Sequence, residues 1–111
     1  MGSTAITPVI DLGLLARRLG LPAIGVQSVV ELLDAGNTIP FIARYRRDET
    51  GGFDEDALRR IQHGLARARQ LADRKQTVLR TIQGQAKLSP ELEAAIVSAE
   101  NLKQLEDLYL P

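Results

Sequence analysis

A stripe of apolar residues, Leu58, Ile61, Leu65, Ala68, Ala72, Leu79 and Ile82, keeps helical spacing over its whole run without meeting a proline. Strands repeat their side chains every second residue, so this spacing predicts one helix of about eight turns, roughly 45 Å long at 1.5 Å per residue. Asp54 is placed to cap it, and Phe53 with Leu58 to staple its entry. Glu55 and Asp56 add negative charge to the first turn, where the helix dipole favours it. A rod of that length commits a chain of 111 residues to a helical fold, and so small a chain is not expected to cover the rod from end to end. Gly64 lies beside the stripe and costs about 1 kcal/mol of helix propensity against alanine, which makes sense if another helix crosses closely there.

Helical spacing governs the other segments too. Leu12, Leu15, Ala16 and Leu19 form a short apolar face that stops at Gly20, with Pro22 close behind. A second helix is expected over residues 24–35, presenting Val26, Val29, Val30 and Leu33 and ending at Gly36. Two short helices joined by Gly-Leu-Pro make a helix-turn-helix-like pair. Thr38 can cap a third helix with Pro40 in its first turn, running to Gly51-Gly52. Phe41, Ile42 and Tyr45 fall on one side of it and read as core, with Arg44 and Arg47 turned to a second side and Arg46 to a third. After Gly84 and Lys87, Ser89-Pro90-Glu91 opens a helix carrying Leu92, Ala95, Ile96 and Ala99. Asn101 can cap a last one carrying Leu102, Leu105, Leu108 and Leu110. The fold class is therefore all-α: helix-turn-helix-like short helices, a long central helix, and two short C-terminal helices. Residues 1–8 read as a disordered tail whose Met1-Gly2-Ser3 start resembles a cloning scar, and residues 9–111 as one helical domain.

With 44% hydrophobic and 25% charged residues, the composition argues for a folded chain over a disordered one. The absence of cysteine excludes a disulfide framework and a zinc-thiolate site. No run has the apolar length needed to cross a bilayer, and the first residues lack a basic leader and an apolar signal core, so a cytoplasmic protein is expected. The formal net charge of zero hides a segregation. Residues 59–87 hold eight bases against one acid, a balance of +7; residues 88–111 hold one base against five acids, −4; residues 1–58 hold five bases against eight acids, −3. Such a pattern suits either a polyanionic partner or an internal acidic cover.

Arg60, Arg67 and Arg74 are spaced by seven, within about 40° of one another on the long helix, and His63 joins the row. That row could track a phosphate backbone of RNA or DNA. It reads equally as a solvated face or as a set of partners for the acidic C-terminal helices, where exposed ion pairs contribute only ~0–1 kcal/mol. Arg44, Arg46 and Arg47 offer a choice between phosphate binding and pairing with Asp48, Glu49 and the acids at 54–56, and proximity favours the pairing. Aromatic residues make up 4% of the chain, too few to suggest a base-stacking platform. Nothing points to an enzyme. Ser28, Ser89 and Ser98 suit helix faces and caps, His63 suits an exposed surface, and the acid pairs Glu91/Glu93 and Glu106/Asp107 lack metal-binding spacing. No cofactor motif is present.

The stretch GNTIPFIARYRRDETGGFDED, residues 36–56, closely resembles a signature near the N-terminus of the Tex-like bacterial transcription accessory proteins, and the closing LEDLYLP resembles a second one. The long helix and KLSPELEAAIVSAENLKQLEDLYLP follow in the same order, so the resemblance covers essentially residues 12–111. The nearest departure is Arg47, where lysine is usual, and it preserves charge. The resemblance implies a mostly helical and much longer protein, in which this region precedes an RNase H-like domain, helix-hairpin-helix elements and a C-terminal RNA-binding OB-type domain. The family looks related to a eukaryotic elongation factor that travels with RNA polymerase. It implies nucleic-acid binding in transcription, with RNA polymerase or the protein's own later domains as the alternative partner of a helical interaction module. Ending at Pro111, the chain resembles the N-terminal piece of such a protein. Its apolar positions on the long helix and at Leu102, Leu105 and Leu108 are then expected to be left uncovered, driving self-association as a two-fold dimer.

Overall fold

The structure, a computed structural model, describes residues 10–109, with the side chain of Tyr109 excepted. The expected tail, residues 1–8, and Leu110 lie outside the described residues. Among the described residues the elements are α1 (Leu12–Leu19), α2 (Ala23–Asp34), α3 (Ile39–Tyr45), α4 (Arg47–Thr50), α5 (Glu55–Gly84), α6 (Pro90–Ser98) and α7 (Leu102–Tyr109), with no strand. The fold is all-α. The described residues fall into two compact units, Ile10–Ala68 and the part from Arg69 on, and α5 contributes residues to each.

In the unit Ile10–Ala68, α1 to α4 and the first part of α5 enclose one core. Leu15 and Ala16 of α1, Val26, Val29 and Val30 of α2, Ile39 and Ile42 of α3, and Leu58, Ile61 and Leu65 of α5 are all buried. Local chemistry sets the boundaries of these helices. Asp11 Oδ1 accepts from the Leu14 N–H at 3.0 Å at the start of α1, Thr38 Oγ1 from Phe41 at 3.3 Å for α3, and Asp54 Oδ1 from Ala57 at 2.8 Å for α5. At the end of α1, Gly20 takes φ 70° while the Leu21 N–H reaches Ala16 O at 3.0 Å and its own N–H reaches Arg17 O at 3.2 Å, the paired bonds of a left-handed helix stop.

Two close approaches fix how these helices pack. A Cβ added at Gly64 would stand 2.8 Å from Leu15 Cδ1, so the glycine marks the crossing of α1 over α5, as its cost in helix propensity suggests. Gly25 is tighter: a Cβ there would lie 2.7 Å from both Phe53 Cζ and the Thr50 carbonyl oxygen. Thr50 is buried, and its hydroxyl donates to Arg47 O at 3.3 Å while accepting from the Gly52 and Phe53 N–H groups at 3.3 and 3.4 Å. This one side chain ties the Gly51-Gly52 turn together and delivers Phe53 to the core beside Leu58.

Docking of α4 on α2 also divides the helix expected between Thr38 and Gly51. The chain leaves helical geometry at Arg46 (φ −126°, ψ 28°), so that α3 buries Ile39 and Ile42 while α4 buries Thr50. Ile39 and Ile42 lie about 60° apart and define the inward side of α3, and Phe41 and Tyr45 stand about 90–130° away from it. The two aromatic rings are therefore outside, at 37% and 60% exposure, against 0% for Ile42. Their assignment to the core is corrected accordingly.

The unit from Arg69 on buries Val78 and Ile82 of α5, Ile96 of α6, Ala99 just after α6, and Leu105 of α7, with Leu71, Leu79, Leu88 and Leu92 packed against them. The stripe read through Leu79 is thus carried by Val78, four residues before Ile82, and Leu79 packs at its margin. Ser89 Oγ caps α6 by accepting from Leu92 N–H at 3.1 Å, and Asn101 Oδ1 accepts from Gln104 N–H at 2.8 Å while Gln104 Oε1 accepts from Glu100 N–H at 2.7 Å. Lys75 Nζ donates to Val97 O at 2.7 Å near the end of α6, where the dipole favours a cation. The long helix is not left bare: Leu58, Ile61, Leu65, Val78 and Ile82 are all buried by the chain itself, as is Leu105. The expectation of uncovered positions is corrected for the long helix and Leu105, because each part of the rod has its own set of short helices, while Leu108 is 40% exposed as expected and Leu102 is half-buried.

Candidate nucleic-acid interface

The arginine row of the long helix does not present three equivalent guanidinium groups. Arg60 donates through Nη2 to Leu19 O at 2.6 Å, answering a carbonyl left open at the end of α1. Arg67 is exposed and has no hydrogen-bond or ion-pair partner among the described residues. Arg74, half-buried, has a polar partner within the chain, as do Arg69, Lys75 and Glu100. His63 is exposed, as expected. Angular spacing aligns the three arginines on one side of α5 but does not report which backbone carbonyl lies opposite each of them.

The three arginines around Tyr45 separate by role. Arg46 pairs with Glu49 at 3.6 Å, donates to Tyr45 O at 3.4 Å, and holds its guanidinium 5.2 Å from the centre of the Phe41 ring. Arg44 and Arg47 are exposed, and neither has a side-chain partner among the described residues. Both line an open concavity on α3, α4 and the start of α5, together with Pro40, Phe41, Tyr45 and Glu55. Glu55, the carboxylate of this wall, is engaged by Arg59 Nη2 at 2.8 Å. Of the three arginines, only Arg46, at the break between α3 and α4, pairs with an acid that neighbours it in sequence, Glu49.

Phe41 and Tyr45 meet on the same concavity, ring centres 5.1 Å apart and planes inclined by 48°. A composition with only two tyrosines and two phenylalanines conceals that two of these four rings share one solvent-facing spot. Four-residue spacing put them on one side of a helix; what the sequence did not say was which side faces the core.

Residues 11–83 match the family model of the Tex-like protein N-terminal domain. The chain belongs to that family. It is 46% identical over 98 residues to the transcriptional accessory protein Tex of Neisseria gonorrhoeae, covering 88% of this chain and 13% of that protein. It is 47% identical over 97 residues to the protein tex of Bordetella pertussis, covering 87% and 12%. At greater distance it is 31% identical over 84 residues to the human S1 RNA-binding domain-containing protein 1, covering 76% and 8%. The chain thus spans about an eighth of the length of its bacterial Tex relatives. No helix among the described residues is long and apolar enough to cross a membrane.

Proposed function

We propose that this Tex-like N-terminal domain supplies a nonspecific contact to nucleic acid, RNA or DNA, within a transcription accessory protein, and that Arg44 and Arg47 carry it. The observation behind this reading is the pair of guanidinium groups on an open concavity with no carboxylate claiming either. Arg67 is a further exposed cation of the same unit; Arg46 and Arg60 act as internal supports of the fold, and Arg74 is not needed. The relatives support the setting, since their names carry transcriptional accessory action in one case and an S1 RNA-binding domain in another.

A contact of this size is auxiliary. Two phosphate contacts give a salt slope of only about −1.4 on a single strand, far below that of a dedicated nucleic-acid-binding domain. Fluorescence anisotropy with a labelled single-stranded RNA oligomer, at low and moderate salt, tests it. Replacing Arg44 and Arg47 by glutamine should weaken binding at low salt and remove about 1.4 from the slope. An unchanged slope, or no binding by the unaltered chain at micromolar concentration, refutes it.

A second reading, a helical interaction module that contacts RNA polymerase or the protein's own later domains, draws on a different observation. The unit Ile10–Ala68 carries eight arginines and eight carboxylates, so the +7 run seen along the sequence does not survive as a net field of that unit. Absence of RNA binding would favour this alternative.

A further inference from the structure

The rings of Phe41 and Tyr45 stand outside, in contact with each other, and they stand beside the two unpartnered guanidinium groups. From this juxtaposition we infer that the α3 face is a single-strand site, in which Tyr45 and Phe41 each stack one of two successive bases while Arg44 and Arg47 hold the adjoining phosphates. The inference rests on the nucleic-acid reading above and narrows it from any nucleic acid to an unpaired strand.

Three features carry it. Every base has a flat π-face, so exposed rings bind unpaired bases without regard to sequence, whereas the bases of a duplex are already stacked and offer no face to a protein ring. The 48° inclination between the rings prevents one base from lying flat on both, which divides the pair into two stacking positions. The Phe41 ring also has neighbours before any ligand arrives: the Arg46 guanidinium lies 5.2 Å from its centre and the Tyr45 ring 5.1 Å, which reduces the side-chain freedom to be lost on binding. Charge complementarity fixes the class of occupant. A carboxylate-bearing protein would satisfy Arg44 and Arg47 equally, but it would not in general bring a flat group to each ring at the spacing of a polymer backbone.

The test uses the whole chain and two probes, a single-stranded RNA oligomer and the same sequence annealed into a duplex. Tyr45→Leu and Phe41→Leu keep a helix-compatible apolar residue at exposed positions, and far-UV circular dichroism checks that each variant remains folded. Either substitution should weaken single-strand binding about tenfold and leave duplex binding unchanged. The chain has no tryptophan and two tyrosines, so Tyr109→Phe leaves Tyr45 as its one tyrosine emitter. The emission of that protein should be quenched by the single strand and not by the duplex, a readout that does not depend on the leucine variants folding. If Arg44→Gln with Arg47→Gln lowers affinity but the ring substitutions and the Tyr45 emission show no effect, the stacking inference falls and the phosphate contact stands. If neither probe binds, both fall, and the face is a protein-docking surface.

Discussion

Replacing Gly25 by alanine adds one methyl group at the point where α2 meets the α4 turn, and the geometry decides the sign of its effect. In an ordinary exposed helix position the change would stabilise by about 0.8–1.0 kcal/mol. Here the new Cβ would sit 2.7 Å from a backbone carbonyl, Thr50 O, and 2.7 and 2.9 Å from two atoms of the Phe53 ring. Neither can swing away cheaply: the carbonyl belongs to a helix whose end is tied by the Thr50 hydroxyl, and the ring is packed against the core. Overpacking of this kind costs about 1–3 kcal/mol. Opposed contacts on a backbone atom and a held ring put this site at the upper end, so the net effect should be a loss of about 1–2 kcal/mol. For a unit of this size that corresponds to a fall of about 4–16 °C in Tm. Gly13→Ala is the internal control. It is the same chemical change on α1, where the nearest atom to the added Cβ is Asp11 Oδ1 at an ordinary 3.4 Å, and it should stabilise by several tenths of a kcal/mol. Urea unfolding followed by far-UV circular dichroism measures both. A Gly25→Ala protein at least as stable as the parent would refute the close packing of α2 on the turn.

Thr50→Val keeps the shape but strips the hydroxyl from two turn N–H groups, and should cost about 1–3 kcal/mol in the same urea experiment. Ala86 occupies the left-handed position after α5 (φ 57°), with Lys87 N–H on Ile82 O at 3.1 Å and its own N–H on Gln83 O at 3.0 Å, the arrangement in which Gly20 closes α1. Ala86→Gly should therefore stabilise by about 0.5–1 kcal/mol, visible as a raised Tm, whereas Gly20→Ala should destabilise by a similar amount. Arg60→Gln should cost about 0.3–1 kcal/mol through the lost contact at the end of α1, while Arg67→Gln should leave the urea midpoint unchanged. Sedimentation over a range of concentrations bears on self-association: with Leu58, Ile61, Leu65 and Leu105 buried within the chain, a mass independent of concentration is expected.

Features that depend on a few neighbouring residues were legible in the sequence. Thr38, Asp54, Ser89 and Asn101 each cap the helix they precede, because a cap needs only a short polar side chain and an N–H three residues on. Gly64 could be read because a glycine inside a strong helix calls for a steric reason. Contacts between elements left no such local trace. Arg60 meets Leu19 across 41 residues of chain, and Gly25 matters because of a turn formed by residues 50–53. The face of α3 was misjudged for the same reason: Phe41, Ile42 and Tyr45 share an apolar character, but α2 and α5 have room for Ile39 and Ile42, and the rings are left to solvent. Charge segregation along the sequence misled in a related way, because α5 enters both units: Arg59, Arg60, Arg69 and Arg74 each find a partner in the chain, and in the unit Ile10–Ala68 eight arginines stand against eight carboxylates.

The most direct test of the proposed interface is a two-dimensional nitrogen-15 NMR titration of the chain with a short single-stranded RNA at low salt. Shift changes confined to backbone amides of residues 41–47, with the Arg44 and Arg47 side-chain Nε signals moving alongside them, are the expected result. Changes that follow Arg60, Arg67 and Arg74 along α5 instead, or a spectrum untouched by RNA, would contradict it.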